Sequence, residues 1–330
     1  MALPAASDVH VNQPLTNISI AYIQSADQFI ATRVFPNVPV AKQSDRYFRY
    51  EKEDWFRVEA QERAPGTESA GGGWRIDNTP TYYARVYAVH KDIDDQIRAN
   101  QDNPIDMDRD ATLWVTTQLL LKRERVWAES YFQTGVWGTD LEGVDSNPTT
   151  GQFLRWNDPD STPVEDVTNA AVAVAEKTGF RPNTLVLSPF VYNALRNHPA
   201  VLERIKYTQR GVVTSDILAG LFDVDRVLVP WGVVNLAAEG VVGDDDFSFV
   251  FGRSALLCYA NPTPSILQPS AGYVFSWTGL LGAGEQGGRI KRFRMEHLSA
   301  DRIEGEMAFD AKVVSPDLGV FFDGAVAPAA

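Results

Sequence analysis

The sequence predicts an α+β fold, and three observations carry that prediction. A long helical pattern runs over 103–134, helices and strands alternate over 162–230, and strand signals dominate after Val241. Alternation of the two element types marks an α/β unit, whereas a run of strands at the end of the chain marks a segregated β layer. At 330 residues the chain fits about two domains. Its 44% hydrophobic and 22% charged content is that of a globular protein rather than a disordered one.

Residues 1–44 read as an extended arm, with Pro4, Pro14, Pro36 and Pro39 breaking regular structure. One short helix is expected: Ser25 and Gln28 have capping-box spacing ahead of "FIATRVF". Ile18, Ile20, Tyr22, Ile23, Phe29, Ile30, Val34 and Phe35 favour an arm that packs on something over a frayed terminus.

Residues 45–92 read as a hairpin. Arg46–Trp55 and Thr81–Val89 are rich in aromatic and β-branched residues with charges of both signs between them. The tip, "RAPGTESAGGGWRID", holds a Pro-Gly turn and three consecutive glycines. Its loop is far longer than the two to five residues of an ordinary hairpin. Arms of about 15 residues would reach roughly 50 Å, while a compact body of this length has a radius of gyration of only about 20 Å. Such a hairpin either projects and needs a partner surface, or edges its own subunit's sheet; residue physics leaves both open.

The 103–134 helix is expected to start with Asn103 as cap and Pro104 at its first position, with Asp106, Asp108 and Asp110 facing the positive end of its dipole. A heptad-like stripe of Leu113, Leu120 and Trp127, joined by Trp114, Leu121 and Ala128 and extended by Tyr131 and Phe132, predicts its buried face. Val115, Leu119 and Val126 fall on the polar side, and Gly135 and Gly138 end the helix. Thr162, Pro163 and Glu165 predict a capped helix that stops at Gly179, followed by a strand at "TLVLS". Helices at "SPFVYNALRNH", "PAVLERIKY" and "TSDILAGLF" and a strand at "DRVLVP" complete the unit. Strands are then expected at "DFSFVFG", "SALLCYA", "GYVFSWTG", "IKRFRME" and "EGEMAFDAKVVSP". No internal repeat or linker divides the chain.

Little in the sequence carries chemistry. A net charge of −13 lacks the clustered cations that phosphate binding needs. Cys258 is the only cysteine, so no intrachain disulfide and no cysteine zinc site can form. The first ten residues lack a signal-peptide pattern and no apolar run spans a bilayer, so the expectation is a soluble intracellular chain. His10, His90, His198 and His297 have no metal-binding neighbours at helical spacing and read as structural or surface residues, His297 within a charged strand. Gly282, Gly284 and Gly287 match GxGxxG, yet "RIKRFRME" after them alternates as a strand does, which favours a hairpin turn over a cofactor site. Asp92, Asp94 and Asp95 lie near Asp102, Asp106, Asp108 and Asp110, but without calcium-loop spacing; helix capping explains the second group. "GDDDF" reads as a solvated turn. No catalytic, cofactor or metal residue is therefore assigned.

The order of parts, together with "DIDDQIRANQDNPIDMDRDATLWVTTQLLLKRERVWAESYF" (92–132) and "RMEHLSADRIEGEMAFDAKVVSPDLGVFF" (294–322), resembles the major capsid protein of tailed bacteriophages. That fold is shared with encapsulins and the herpesvirus capsid floor. The resemblance implies an N-terminal arm (1–44), an extended β-hairpin loop (45–92), a peripheral domain (93–162) with a spine helix (103–134), an α/β axial domain (163–260), and closing strands (261–330). It implies a non-enzymatic structural protein that self-assembles into hexamers and pentamers. These form the icosahedral head around double-stranded DNA, which is enclosed without tight binding. Implied partners are further copies of the chain, a portal protein and, because arm and loop take up the chain before the helix, a separate scaffolding protein, with a decoration protein as a further candidate. No membrane and no cofactor is implied, and the site of action is the virion, assembled in the host cytoplasm. Candidate inter-subunit contacts are Arg63, Pro65, Gly71, Gly72, Gly73, Trp74, Phe29, Phe35, Arg123 and Arg125. The glycines would let the loop angle vary between capsomer positions. An encapsulin-type shell and a soluble α/β enzyme with an unrecognised site are the alternative readings.

Overall fold

A computed structural model describes residues 24–101, 105–206, 213–237, 246–265, 268–281 and 288–328. Within the arm, the expected helix shrinks to a single 3-10 turn, Ala26–Gln28. The Ser25 hydroxyl bonds the Asp27 carboxylate instead of capping a backbone N–H. "FIATRVF" is irregular: its only turn is closed by Arg33 N–H and Val34 N–H on the Ile30 carbonyl. Burial overrides the local signal, because Phe29, Ile30, Val34 and Phe35 all enter the core, more than one helical stripe would allow. Ile18, Ile20, Tyr22 and Ile23 lie outside the described residues, as does His10.

Strand β1 (Asn37–Val40) joins the body, and the hairpin follows. Strand β2 (Ser44–Arg46) pairs with β5 (Thr81–Tyr83), and β3 (Arg49–Tyr50) with β4 (Ile76–Asp77). The expected strand Arg46–Trp55 is thus broken. Lys52–Trp55 forms a helical turn, α1, where Lys, Glu and Asp are poor strand formers. The expected strand Thr81–Val89 also divides: β6 (Arg85–Asp94) leaves the hairpin and runs along the body's own sheet. The sheet-edge alternative therefore holds for the second arm, which continues into the body's sheet, while residues 51–75 pair with no strand.

Helix α2 (Asp95–Ala99) is capped by Asp94, and α3 (Met107–Tyr131) by Asp106, whose carboxylate accepts from Asp108 N–H and Arg109 N–H at 3.1 Å each. The start near Asn103 is corrected accordingly; Asn103, Pro104 and Asp102 lie outside the described residues. The helix is roughly 37 Å long. Its buried face is Ala111, Val115, Arg123, Glu124, Trp127 and Tyr131, so of the predicted stripe only the C-terminal part, Trp127 and Tyr131 with Phe132 beyond the helix, is buried. Leu113 and Trp114 are 40% and 42% exposed.

The remaining elements follow the expected order, with additional short elements at Thr139–Val144, Gln152–Leu154, Val233–Asn235, Thr278–Leu281 and Gly319–Asp323. Strands β7 (Thr139–Val144) and β8 (Gln152–Leu154) appear where none was expected. Helix α4 (Pro163–Thr178) lacks the expected Thr162 side-chain cap but ends at Gly179 in the left-handed conformation, φ +72°. Strand β9 (Thr184–Leu187) precedes α5 (Pro189–Asn197), α6 (Pro199–Ile205) and α7 (Ser215–Phe222), capped by Ser188, His198 and Thr214. Then come β10 (Arg226–Leu228), a ribbon of β11 (Val233–Asn235) with β12 (Phe247–Phe249), β13 (Ala255–Cys258), β14 (Gly272–Trp277) and the short α8 (Thr278–Leu281). Strands β15 (Gly288–Met295), β16 (Ala300–Val313) and β17 (Gly319–Asp323) close the chain. His297 sits in a 3-10 turn, Glu296–Leu298, rather than in a strand. The GxGxxG residues and Gly243–Asp245 lie outside the described residues.

Two sheets result. One runs β1-β14-β16-β15 with β6 also on β16; the other runs β10-β9-β13-β17-β7-β8. Every residue of β9 and β13 is buried, which is why these apolar runs take the interior of the second sheet. Helix α3 packs on β16 and β6, and Gly305 makes that approach close: a Cβ there would stand 2.4 Å from Val115 Cγ1. A seam of Phe35, Trp127, Tyr131, Val186, Leu256 and Phe321 joins α3 to the second sheet. Segment 93–162 contributes to both sheets.

Candidate assembly surfaces

The hairpin's outer end exposes what a chain folding alone would bury. Trp55, Phe56 and Trp74 are more than half exposed, and Val58 is 91% exposed. Trp55 sits 5.6 Å from Trp74 and 6.0 Å from Tyr50, ring centre to ring centre, so the aromatics gather on one turn. Arg75 fixes that turn through Asp54, bonding its carboxylate from both backbone and guanidinium. Arg63, Pro65, Gly71, Gly72, Gly73 and Trp74 all lie exposed on this outer end. Side chains added at Gly71 or Gly73 would meet nothing within 4 Å, so their freedom is backbone freedom and not a packing need.

The other four candidates are placed elsewhere. Phe29 and Phe35 are 2% and 3% exposed inside the subunit's own core, with Phe35 stacked on Trp127, so their apolar surface is spent within the chain. Arg123 is buried on α3 with its guanidinium 5.3 Å over the Phe309 ring, and burial lowers its pKa to about 10. Arg125 is exposed and pairs with Glu129 one turn on. The sequence pattern did not mark Lys52, Phe56, Leu113 or Trp114 as surface positions; the last two sit in an apolar repeat that reads as core.

Charged side chains anchor the arm's root. The Glu124 carboxylate accepts from Ile30 N–H at 3.0 Å and Ala31 N–H at 2.8 Å. At the other end of the same turn, Arg226 donates to the Arg33 and Val34 carbonyls at 2.8 and 2.9 Å and to the Thr184 hydroxyl at 3.0 Å. Negative charge at the N–H end and positive at the C=O end match the dipole of a helical turn. Burial pushes the Glu124 pKa up to about 7, against the backbone bonds that lower it.

The acidic cluster is consumed by arginines. Arg302 pairs with Asp92, Arg294 with Asp95, and Arg98 with Asp108 and Asp301, at 2.6–2.9 Å. Hydrogen bonds from Arg292 and then Arg98 hold Asp301 at about 2. Among the described residues, no group of three or more His, Cys, Asp or Glu is placed to hold a metal ion. No described helix is long and apolar enough to cross a membrane. His198 is buried as a cap: its Nδ1 accepts from Ala200 N–H at 3.1 Å, so Nε2 carries the proton toward the Asp158 carbonyl and Ser161 hydroxyl, both 3.0 Å away.

Comparison with known proteins gives the following. A family model described as phage major capsid protein E matches residues 150–226. The major capsid protein of Burkholderia phage BcepMu is 25% identical over 331 residues, covering 95% of this chain and 96% of that protein. A phage-related protein from Bordetella bronchiseptica RB50 superposes with a TM-score of 0.69 at 23% identity, over 93% of this chain and 95% of its own. The capsid of cyanophage P-SCSP1u gives 0.61 at 11% identity, over 96% and 93%. The holo-SrpI encapsulin complex from Synechococcus elongatus PCC 7942 gives 0.56 at 12%, over 98% and 96%.

Proposed function

We proceed from the chain being a phage major capsid protein, a non-enzymatic component of the virion that forms the icosahedral head, and we propose how its parts serve that role. Copies assemble into hexameric and pentameric capsomers. The hairpin's outer end, 51–75, lies over a neighbouring copy. The β6–β14–β15–β16 sheet with α3 serves as the peripheral domain, and the β9-centred sheet with α4–α7 as the axial domain. A separate scaffolding protein, a portal protein and a decoration protein are the further partners of this reading. Encapsulins share the fold, but the likeness of sequence is to phage capsid proteins. A chain of net charge −13 encloses double-stranded DNA without gripping it, because few phosphates can be neutralised.

The single observation behind the hairpin's role is its unburied aromatic end, Trp55, Phe56 and Trp74. Ordering each tip residue costs about 1–2 kcal/mol, which burial on a neighbour at roughly 25 cal/mol per Å² can offset. Tyr50 and Ile76 are cross-strand partners, so residues 51–75 can be replaced by Asn-Gly without disturbing the ladder. The shortened chain is expected to fold and stay soluble but to form no closed shells by electron microscopy. Trp55→Ser/Trp74→Ser is expected to weaken shells on dilution with the backbone intact. Normal, stable shells from both variants would overturn the reading.

A further inference from the structure

We propose that the hairpin's outer turn is parked on its own subunit before assembly, and that this contact must open for the shell to close. The proposal rests on the reading that 51–75 reaches a neighbouring copy. Two contacts tie the turn to the body. Lys52 Nζ pairs with the Asp317 carboxylate, 265 residues away. The Phe56 ring lies against Gly179: a Cβ built there would stand 3.2 Å from Phe56 Cζ.

Both seats are made by backbone that has no side chain in the way. Gly179 closes α4 at φ +72°, so the position that ends the helix also leaves the flat place that takes the ring. Asp317 stands over Gly138, where a Cβ would come within 3.1 Å of its Cα. The seats sit side by side on the body, at the end of α4 and just before β17, and α4 touches the 316–318 turn directly.

The contact is built to be weak. Lys52 and Asp317 side chains are 42% and 38% exposed, and Phe56 keeps 57% of its surface in solvent. Exposed ion pairs contribute little. Glu53 and Asp54 are taken by Arg75 within the turn, so Lys52 is the charge the turn offers to the body. Between turn and body the hairpin is held by only short ladders, and a single backbone bond, Tyr47 N–H to the Pro80 carbonyl, crosses the Tyr47–Phe48 and Asn78–Pro80 segments between them. Those breaks let the end swing as a unit. Trp55 and Trp74 stay exposed while parked, free to engage a second copy before the ion pair lets go. The parked turn is thus a brake: its tryptophans can touch a second copy while it is parked, but the hairpin can lie fully over that copy only after a weak internal contact opens.

The test uses the unassembled full-length chain below its assembly concentration, digested with trypsin, which cuts in the hairpin after Arg57, Arg63 and Arg75. Lys52→Glu, Phe56→Ala and Asp317→Lys are each expected to speed those cuts about two- to fivefold and to shorten the lag before light scattering detects shells. Asp317→Lys leaves the hairpin unaltered, so its effect cannot come from a changed tip. The double variant Lys52→Glu/Asp317→Lys is expected to restore parent cleavage and lag. Unchanged cleavage in all single variants overturns the parking contact. Faster cleavage in Asp317→Lys with an unchanged or longer lag overturns the brake. Normal shells from the chain lacking 51–75 instead overturn the assembly reading, and the cleavage rates then judge parking by themselves.

Discussion

Glu124 holds the arm against the long helix with a carboxylate that is fully buried. Its folded-state pKa is raised by burial from 4.5 to about 7. The native state therefore binds more protons than the unfolded chain between those values, and stability falls as pH rises from 4.5 through about 7. A shift of that size corresponds to about 3 kcal/mol. Glu124→Gln removes the titration, so the difference in denaturation midpoint between parent and variant is expected to move across pH 5–8 in the parent's disfavour. A flat difference would sink the assignment. At the other end of the turn, Arg226→Leu strands the Arg33 and Val34 carbonyls and should cost about 2 kcal/mol in denaturant unfolding. Neither residue was legible as an anchor from sequence. A lone Glu in a helix and a lone Arg in a strand look like surface charges until the fold brings the arm between them.

At the scale of elements, α3 shows why existence was readable and orientation was not. Its existence and its Asp-rich start are local and were readable, but it stops at Tyr131 with Phe132 as its cap, ahead of the expected Gly135. Which side faces in depends on β16 and β6, strands more than ten residues away in sequence, and Gly305 decides it by leaving room for Val115 and Leu119. The heptad of Leu113, Leu120 and Trp127 drifts around a straight helix, so only its last member is fully buried. Gly305→Ala should force α3 outward, because Val115 is branched and fully buried, and should cost about 1–3 kcal/mol. Leu113→Ser should cost close to nothing. Urea unfolding of the unassembled chain separates the two; equal losses would return Leu113 to the core. The hairpin's break at Lys52–Trp55 has a similar origin, since aromatic content alone marked a strand where "EKED" cannot sustain one.

For the whole molecule, strand order lay beyond local pattern: β17 joins β13 antiparallel and β7 parallel, uniting segments that begin at Ala255, Gly319 and Thr139. Length pointed to about two domains; the two large sheets share a core. Phe35 from the arm, Trp127 and Tyr131 from α3, Val186 from β9, Leu256 from β13 and Phe321 from β17 pack in one cluster. The Tyr131 hydroxyl also donates to the Tyr273 carbonyl at 2.7 Å, tying the seam to the first sheet. Neither sheet can unfold without opening this seam. Chains above about 150 residues commonly unfold in several steps; here a single transition is expected, with far-UV circular dichroism and tryptophan fluorescence of the unassembled chain superimposing in urea. Trp127→Ala empties the middle of the seam and should cost about 3–5 kcal/mol. Because the loss falls on both sheets, the two probes should shift together to lower urea. If instead the probes separate in the parent chain, or Trp127→Ala moves one and leaves the other in place, the sheets are independent folding units and the seam is only their interface.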